Sequence, residues 1–101
     1  MTYLQIAPHP ILADTVKSLW ATEHDFHGGQ DSIELLPDSY VEMVFSVGAQ
    51  RWLETDSETY NLPGCYLIGL LNKPLRMRAN GLVKSVAVRF FAWGFYSLFD
   101  L

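Results

Sequence analysis

The fold is most strongly constrained by residues 75–90, whose sequence is LRMRANGLVKSVAVRF. Apolar and polar residues alternate on both sides of Asn80-Gly81, and this period of two is typical of strands that bury one face. An Asn-Gly pair between two such runs favours a two-residue hairpin turn. The sequence therefore predicts that a strand over 75–79 pairs antiparallel with a strand over 82–90.

Five further strands are predicted ahead of this stretch, each rich in β-favouring or apolar residues and bounded by turn-forming ones. They cover residues 17–26, 32–36, 40–47, 50–54 and 65–71. One face of the strand over 40–47 is apolar throughout and should face the core; its side chains are Val41, Met43, Phe45 and Val47. Residues 65–71 are nearly all apolar, which indicates a strand buried on both faces.

Helix is expected only at the two ends of the chain. After a leading segment over residues 1–9, Pro10 to Val16 has the apolar spacing of one short helical turn. Residues 92–101 carry aromatic residues three apart, which suits a short helix. The predicted fold is therefore mainly β, a small barrel or sandwich in a single domain over residues 1–101.

Composition limits the class of function. The chain has 7 Lys and Arg against 11 Asp and Glu, a net charge of -4, so the domain alone is poorly suited to bind nucleic-acid phosphates. Ten acidic residues lie in 1–64 and five basic ones in 65–101, which indicates solvated charges on neighbouring strands, with head-to-tail self-association as the alternative. A single cysteine, no secretory signal and no membrane-spanning run indicate a cytoplasmic protein without membrane contact.

Several short motifs follow one another in a recognisable order. The chain opens with Pro10, Leu12, Val16 and Trp20, and a turn at Leu36-Pro37-Asp38-Ser39 leads into Glu42-Met43-Val44-Phe45. Later come Leu67-Ile68-Gly69, Val86-Ala87-Val88-Arg89-Phe90 and Gly94. Together these motifs resemble the amino-terminal domain of AraC-type bacterial transcription regulators, with Ser39 where that group has Gly and Ala92 where it usually has Pro.

The resemblance implies a cupin-like regulatory domain that senses a small-molecule effector or forms a homodimer, is not an enzyme and uses no cofactor. In such regulators a C-terminal pair of helix-turn-helix units binds DNA. We expect residues 92–101 to begin the helix that leads towards that domain, which this chain lacks. Two alternatives stay open, namely a small cupin-like metal-dependent enzyme and a purely structural dimerisation module.

Six residues are candidates for lining a ligand pocket, because such pockets combine apolar walls with a few polar groups. They are Trp20, Phe45, Trp52, Tyr66, Arg89 and Phe90. The alternative is a small barrel whose side chains fill its interior completely.

Arg89 lies among apolar neighbours on its strand, and a buried guanidinium without a partner is costly. The sequence therefore predicts an ion pair of Arg89 with Asp38 or Glu42, with an anionic ligand as the alternative partner. The aromatic residues near the C-terminal end are expected to form a dimer or interdomain interface; they are Trp93, Phe95, Tyr96 and Phe99.

No catalytic residues and no metal ligands are expected. His24 and His27 are three residues apart beside Gly28-Gly29, whereas a metal-binding strand places its ligands two apart on one face. Together with His9 they are better explained as exposed turn residues. The chain contains none of the familiar nucleophile, phosphate-binding or zinc-protease motifs.

Overall fold

A computed structural model describes residues 2–35, 40–69, 71 and 73–98. Within them nine strands form two antiparallel sheets, and one short α-helix closes the chain. The mainly β fold predicted from the sequence is confirmed, including a helical turn near the start, Pro10–Leu12, and a helix near the end.

The large sheet has five strands and the small sheet has four, in the spatial orders β1-β2-β9-β4-β7 and β3-β8-β5-β6. The strands of the large sheet are β1 (Thr2–Ile6), β2 (Val16–Asp25), β4 (Tyr40–Gly48), β7 (Cys65–Gly69) and β9 (Leu82–Phe91). Those of the small sheet are β3 (Ile33–Leu35), β5 (Arg51–Glu54), β6 (Thr59–Leu62) and β8 (Leu75–Ala79). Helix α1 spans Ala92–Leu98, and a second 3-10 helix spans His27–Gly29.

The predicted hairpin of residues 75–79 with 82–90 is wrong, because β8 and β9 lie in different sheets. β8 pairs with β3 and β5, while β9 pairs with β2 and β4. The expected turn needs positive φ at both central residues, and neither Asn80 nor Gly81 has it. Instead the Asn80 N–H donates to Gln50 O at 3.0 Å and the Phe26 N–H to Gly81 O at 3.0 Å. The Asn-Gly pair thus carries the chain from one sheet to the other.

The large sheet separates two apolar clusters. Phe26, Ala79 and Val83 are buried between the sheets. On the opposite face, under α1, lies a second buried cluster of Val16, Val41, Phe90 and Phe95. β9 contributes to both clusters because successive side chains of a strand point to opposite faces.

The apolar face predicted to be buried in strand 40–47 is covered only in part. Val41 is buried, but Phe45 and Val47 are 45% and 66% exposed. Val44 and Ser46, on the opposite face of β4, are buried instead. The expectation that residues 65–71 are buried on both faces is also wrong, because β7 is an edge strand with Leu67 exposed.

Two strands were not predicted from the sequence, β1 and β6. β1 lies in the leading segment and pairs with β2, placing Leu4 opposite Ala21. Its alternation of Thr2, Leu4 and Ile6 with Tyr3 and Gln5 has the period of a strand and could have indicated it.

Alanine substitutions at two glycines test the connection between the sheets. Gly48 has a φ of +114°, and a Cβ there would lie 2.3 Å from the Leu82 carbonyl oxygen. A Cβ on Gly81 would meet only the Ala49 Cβ, at 3.6 Å. We expect Gly48→Ala to lower the free energy of unfolding by at least about 2 kcal/mol and Gly81→Ala to change it by less than about 1 kcal/mol, measured by urea denaturation. A large loss in Gly81→Ala would instead support a hairpin turn.

Candidate functional site

The face of the large sheet that points towards the small sheet, here the inner face, is polar for a protein interior. The Tyr66 hydroxyl on this face lies 3.8 Å from the Met77 sulfur of β8, which identifies the side that meets the small sheet. Strand register places three rows of side chains side by side on it: Ser18, Arg89 and Glu42; Trp20, Ala87, Val44 and Tyr66; and Thr22, Ser85 and Ser46.

Arg89 pairs with Glu42, which lies directly opposite it in the register. The Glu42 Oε1 atom accepts from Arg89 Nε at 2.7 Å and lies 2.6 Å from Nη2. The Arg89 guanidinium carbon is also 5.6 Å from the centre of the Tyr40 ring, within the range of a cation–π contact. The two paired side chains are 30% and 18% exposed, so the pair is half-buried. Asp38, the other predicted partner, lies outside the described residues.

Substitution of Glu42 by Gln should destabilise the domain, because it leaves the Arg89 charge half-buried beside a neutral amide. We expect a loss of about 1–2 kcal/mol in the free energy of unfolding at neutral pH. Glu34→Gln, a change at an exposed position of β3, is the matched control and should have little effect. Equal denaturation midpoints for the two variants would contradict this role of Glu42.

Two other ion pairs also join acidic residues of the first 64 positions to basic residues of the last 37. Glu54 accepts from Arg78 Nε at 2.6 Å, and the Arg78 hydrogen bond holds the pKa of Glu54 below its usual value. Lys84 Nζ lies 3.9 Å from Glu23 Oε1. Charges on these neighbouring strands are thus paired within the domain.

A cluster of hydroxyl groups occupies the middle of the inner face. The Ser46 and Ser85 Oγ atoms are 2.6 Å apart, and both side chains are buried. Burial raises the pKa of the Tyr66 phenol above its ordinary value of 10.0, and a hydrogen bond with Ser46 and the charge of Arg51 offset only part of this shift. Tyr66 is therefore a neutral hydrogen-bonding group at physiological pH.

The raised pKa of Tyr66 predicts a specific dependence of stability on alkaline pH. Because the folded protein holds the phenol neutral, the stabilisation is fully present below the ordinary pKa of 10.0 and is lost as the pH rises through the folded pKa. Tyr66→Phe lacks this titration, so its free energy of unfolding should fall less steeply in that range than that of the wild type. Urea denaturation of both proteins across alkaline pH measures the difference, and parallel curves would contradict it.

Three buried polar atoms have no hydrogen-bond partner in the part of the chain that the structure describes. They are Ser18 Oγ, Trp20 Nε1 and Arg51 Nε. Ser18 is 2% exposed and Arg51 is 7% exposed. Arg51 lies opposite the buried Ala79 in the small sheet, and its Nη1 donates to Ala49 O at 3.0 Å. An unpaired buried group costs roughly 1–3 kcal/mol, so these atoms are suited to bind a ligand or water, and indole and guanidinium groups can only donate.

The structure does not bring the six predicted pocket residues together. Trp20, Tyr66 and Arg89 lie on the inner face. Phe45 and Phe90 lie on the other face of the large sheet, since Phe45 pairs with Val86 and Phe90 with Val41 and Val16.

Trp52 lies on the side of the small sheet away from the large sheet. It is opposite Arg78, one residue out of phase with the inward-facing Met77, and its ring packs beside Gly29. Sequence reasoning chose aromatic residues for the pocket and missed Ser18, Ser46, Arg51 and Ser85, because serine and arginine are mostly surface residues. The even spacing of Ser18 with Trp20 and of Ser85 with Arg89 could have indicated a shared face.

The aromatic residues predicted to form an interface have different roles. Phe95 is buried, with its ring centre 5.5 Å from that of Phe90, so it belongs to the core beneath α1 rather than to an interface. Trp93 and Tyr96 are exposed. The Trp93 ring stacks on Phe91 at 4.7 Å, and its N–H donates to Asp14 O at 3.1 Å. Phe99 lies outside the described residues.

His9 and His27 lie at short 3-10 helices, whereas His24 lies within strand β2 with its half-buried ring 4.5 Å from that of Phe26, so the expectation of an exposed turn residue is wrong for His24. His24 and His27 place their Nε2 atoms 3.8 and 3.6 Å from Asp31 Oδ2, and His9 Nδ1 accepts from the Ile11 N–H at 3.2 Å. Among the described residues there is no group of three or more His, Cys, Asp or Glu side chains that could hold a metal ion. None of the helices among the described residues is long and apolar enough to span a bilayer.

The two antiparallel sheets around a shared interior form a fold similar to that of two solved structures. The Cupin_2 domain of an XRE family transcriptional regulator from Enterobacter cloacae aligns with a TM-score of 0.55 and 12% identity, over 87% of this chain and 96% of that one. An HTH_3 family transcriptional regulator from Vibrio cholerae aligns with a TM-score of 0.55 and 12% identity, over 85% of this chain and 48% of that one. The chain therefore spans about half the length of the Vibrio cholerae regulator.

By sequence, the chain belongs to the family described as a domain of unknown function, DUF6597, which matches residues 4–101. No curated protein matches it by sequence.

Proposed function

We propose that this chain is the effector-sensing regulatory domain of an AraC-type transcription regulator, acting in the cytoplasm without catalysis and without contacting DNA itself. The observation that carries the proposal is the set of unpartnered polar atoms on Ser18, Trp20 and Arg51. A domain selected only for stability would carry apolar side chains at these positions, because each unpaired group has a free-energy cost. The effector is a small molecule bound between the sheets.

The chemistry of the site indicates the class of effector. Trp20 Nε1 and Arg51 Nε are donors only, and the Ser18 hydroxyl can also donate. A ligand that satisfies them presents acceptor oxygens, as a carboxylate or a sugar does. Charge-assisted bonds from an arginine are stronger than neutral ones, so a carboxylate is favoured.

Two further observations support a regulatory role. Trp20, Glu42 and Arg89, which belong to the AraC-like motifs, lie on the inner face although they are far apart in the sequence. Both similar solved structures are from transcriptional regulators. The net charge of -4 disfavours DNA binding by this domain, which leaves DNA contact to another domain of the full-length regulator.

Thermal denaturation with a panel of small carboxylates and sugars tests the proposal. A ligand that binds only the folded domain at one hundred times its Kd stabilises it by about 2.7 kcal/mol, so a true effector raises the Tm. Trp20→Phe removes a donor without a partner, so it should weaken binding about tenfold while leaving the stability of the free protein unchanged or slightly higher.

Trp93→Phe is the matched control for this experiment. It removes an indole N–H that is already bonded to the Asp14 carbonyl and lies on helix α1, not on the inner face, so it should leave effector affinity unchanged. Two results would count against the proposal: no stabilising compound in the panel, or equal affinity of the wild type and Trp20→Phe for the compound that stabilises.

A further inference from the structure

Arg51 is a buried cation without a carboxylate partner among the described residues. It is 7% exposed, and none of the ion pairs in that part of the chain includes it. Its Nη1 atom donates to the Ala49 carbonyl at 3.0 Å, while its Nε atom has no partner. A carbonyl oxygen does not neutralise a guanidinium, and a buried charge without a counterion is strongly destabilising. Arg51 is therefore suited to pair with an anion that the described residues do not supply.

The charges that face between the two sheets do not balance in the part of the chain that the structure describes. Register places Arg51, Arg89 and Glu42 there, two guanidinium groups against one carboxylate. Glu42 lies 2.6 Å from Arg89 and neutralises it. His24 lies at the edge of the same face, 3.8 Å from the exposed carboxylate of Asp31, which can match a proton on the imidazole.

The remaining paired charges lie outside this interior. Glu23 and Lys84 pair with each other on the outer face of the large sheet, the face turned away from the small sheet. Arg78 pairs with Glu54 on the side of the small sheet away from the large sheet. The space that the described residues enclose thus has one net positive charge, and that charge lies on Arg51.

We propose that the effector is a monoanion whose carboxylate pairs with Arg51, while neutral acceptor groups of the same molecule bond to Ser18 Oγ and Trp20 Nε1. This inference rests on the effector-sensing role proposed above and adds its charge selectivity. One negative charge neutralises the interior, whereas a second would lie there uncompensated. Ser18 is directly opposite Arg89 in the register, so the group that it binds lies beside an arginine that Glu42 has already neutralised.

Tyr66 offers a further donor to the same anion. Burial raises the pKa of its phenol most, and the charge of Arg51 lowers that pKa in part, so the two groups lie within electrostatic reach of each other. The Tyr66 hydroxyl is 3.8 Å from the Met77 sulfur, which is a weak acceptor. A carboxylate oxygen is a stronger acceptor, and a bond from this hydroxyl would add to the charge-assisted bonds of the guanidinium.

Titration with acetate, acetamide and malonate tests the charge selectivity with probes that assume no length for the effector. Affinities are measured by two-dimensional NMR at constant ionic strength and slightly above neutral pH, where malonate is a dianion. Acetate should bind at least about tenfold more tightly than acetamide, because only acetate can pair with a guanidinium. Malonate should bind more weakly than acetate, because its second carboxylate has no counterion.

Variants of Arg51 separate its charge from its packing. Arg51→Met should abolish the preference for acetate over acetamide, and the Tm of the free protein should stay the same or rise, because an uncompensated buried charge is removed. Arg51→Lys keeps the charge and should retain the preference. Arg78→Met is the matched control, because it removes a guanidinium that is already paired with Glu54. It should lower the Tm and leave acetate binding unchanged.

Glu42→Gln tests why a second negative charge is excluded. It leaves Arg89 without its carboxylate, so the interior gains one positive charge. Malonate should then bind at least as tightly as acetate, the reverse of the order in the wild type. Far-UV circular dichroism confirms that each variant is folded.

Three results would overturn the inference. Equal affinity of the wild type for acetate and acetamide shows that the interior selects no charge. A loss of Tm in Arg51→Met as large as that in Arg78→Met shows that Arg51 is structural. A preference for acetate over malonate that persists in Glu42→Gln shows that the Arg89–Glu42 pair does not limit the charge of the ligand.

The effector-sensing role fails by different results. It fails if no compound of the larger panel stabilises the domain, or if Trp20→Phe binds the stabilising compound as tightly as the wild type does. Selective binding of acetate without any such compound would leave an anion site at Arg51 and overturn the sensing role.

Discussion

The structure depends on the pairing of β9 along both of its edges. Its ten residues form nine register pairs with β2 on one side and nine with β4 on the other, so it is the centre of the large sheet. Central pairing leaves no free edge on β9 for β8, which joins the small sheet instead. The same strand supplies Val83 to the cluster between the sheets and Phe90 to the cluster under α1, because its side chains alternate between faces.

The two faces of the large sheet have the reverse of the usual distribution of polarity. The enclosed inner face carries the Arg89–Glu42 pair, the Ser46–Ser85 contact and donors without partners, while much of the outer face is apolar and exposed. Polar groups inside and apolar side chains outside both cost free energy in an isolated domain. Groups that satisfied the donors on the inner face and covered the apolar side chains on the outer face would remove these two costs.

The ion pairs show how much of the pairing between charged side chains could be predicted from the sequence. A half-buried arginine needs a carboxylate, so Arg89 was expected beside Asp38 or Glu42, and the structure places it against Glu42. The buried Arg51, whose Nε has no partner among the described residues, was not anticipated, because nothing in its local sequence distinguishes it from a surface arginine. Only the packing of β5 beside the fully buried Ala79 encloses it.

The sequence by itself determined seven of the nine strands that the structure describes and the helix near the end, because a period of two residues and turn-forming residues act locally. It also determined that each strand has two distinct faces. Which face is covered was decided only by tertiary structure, since α1 and the small sheet do the covering and the side on which each packs is not a local property of any strand. Asn80-Gly81 shows the same limit: its composition permits a hairpin, but pairing of β9 with β2 and β4 turns it into a connection between sheets.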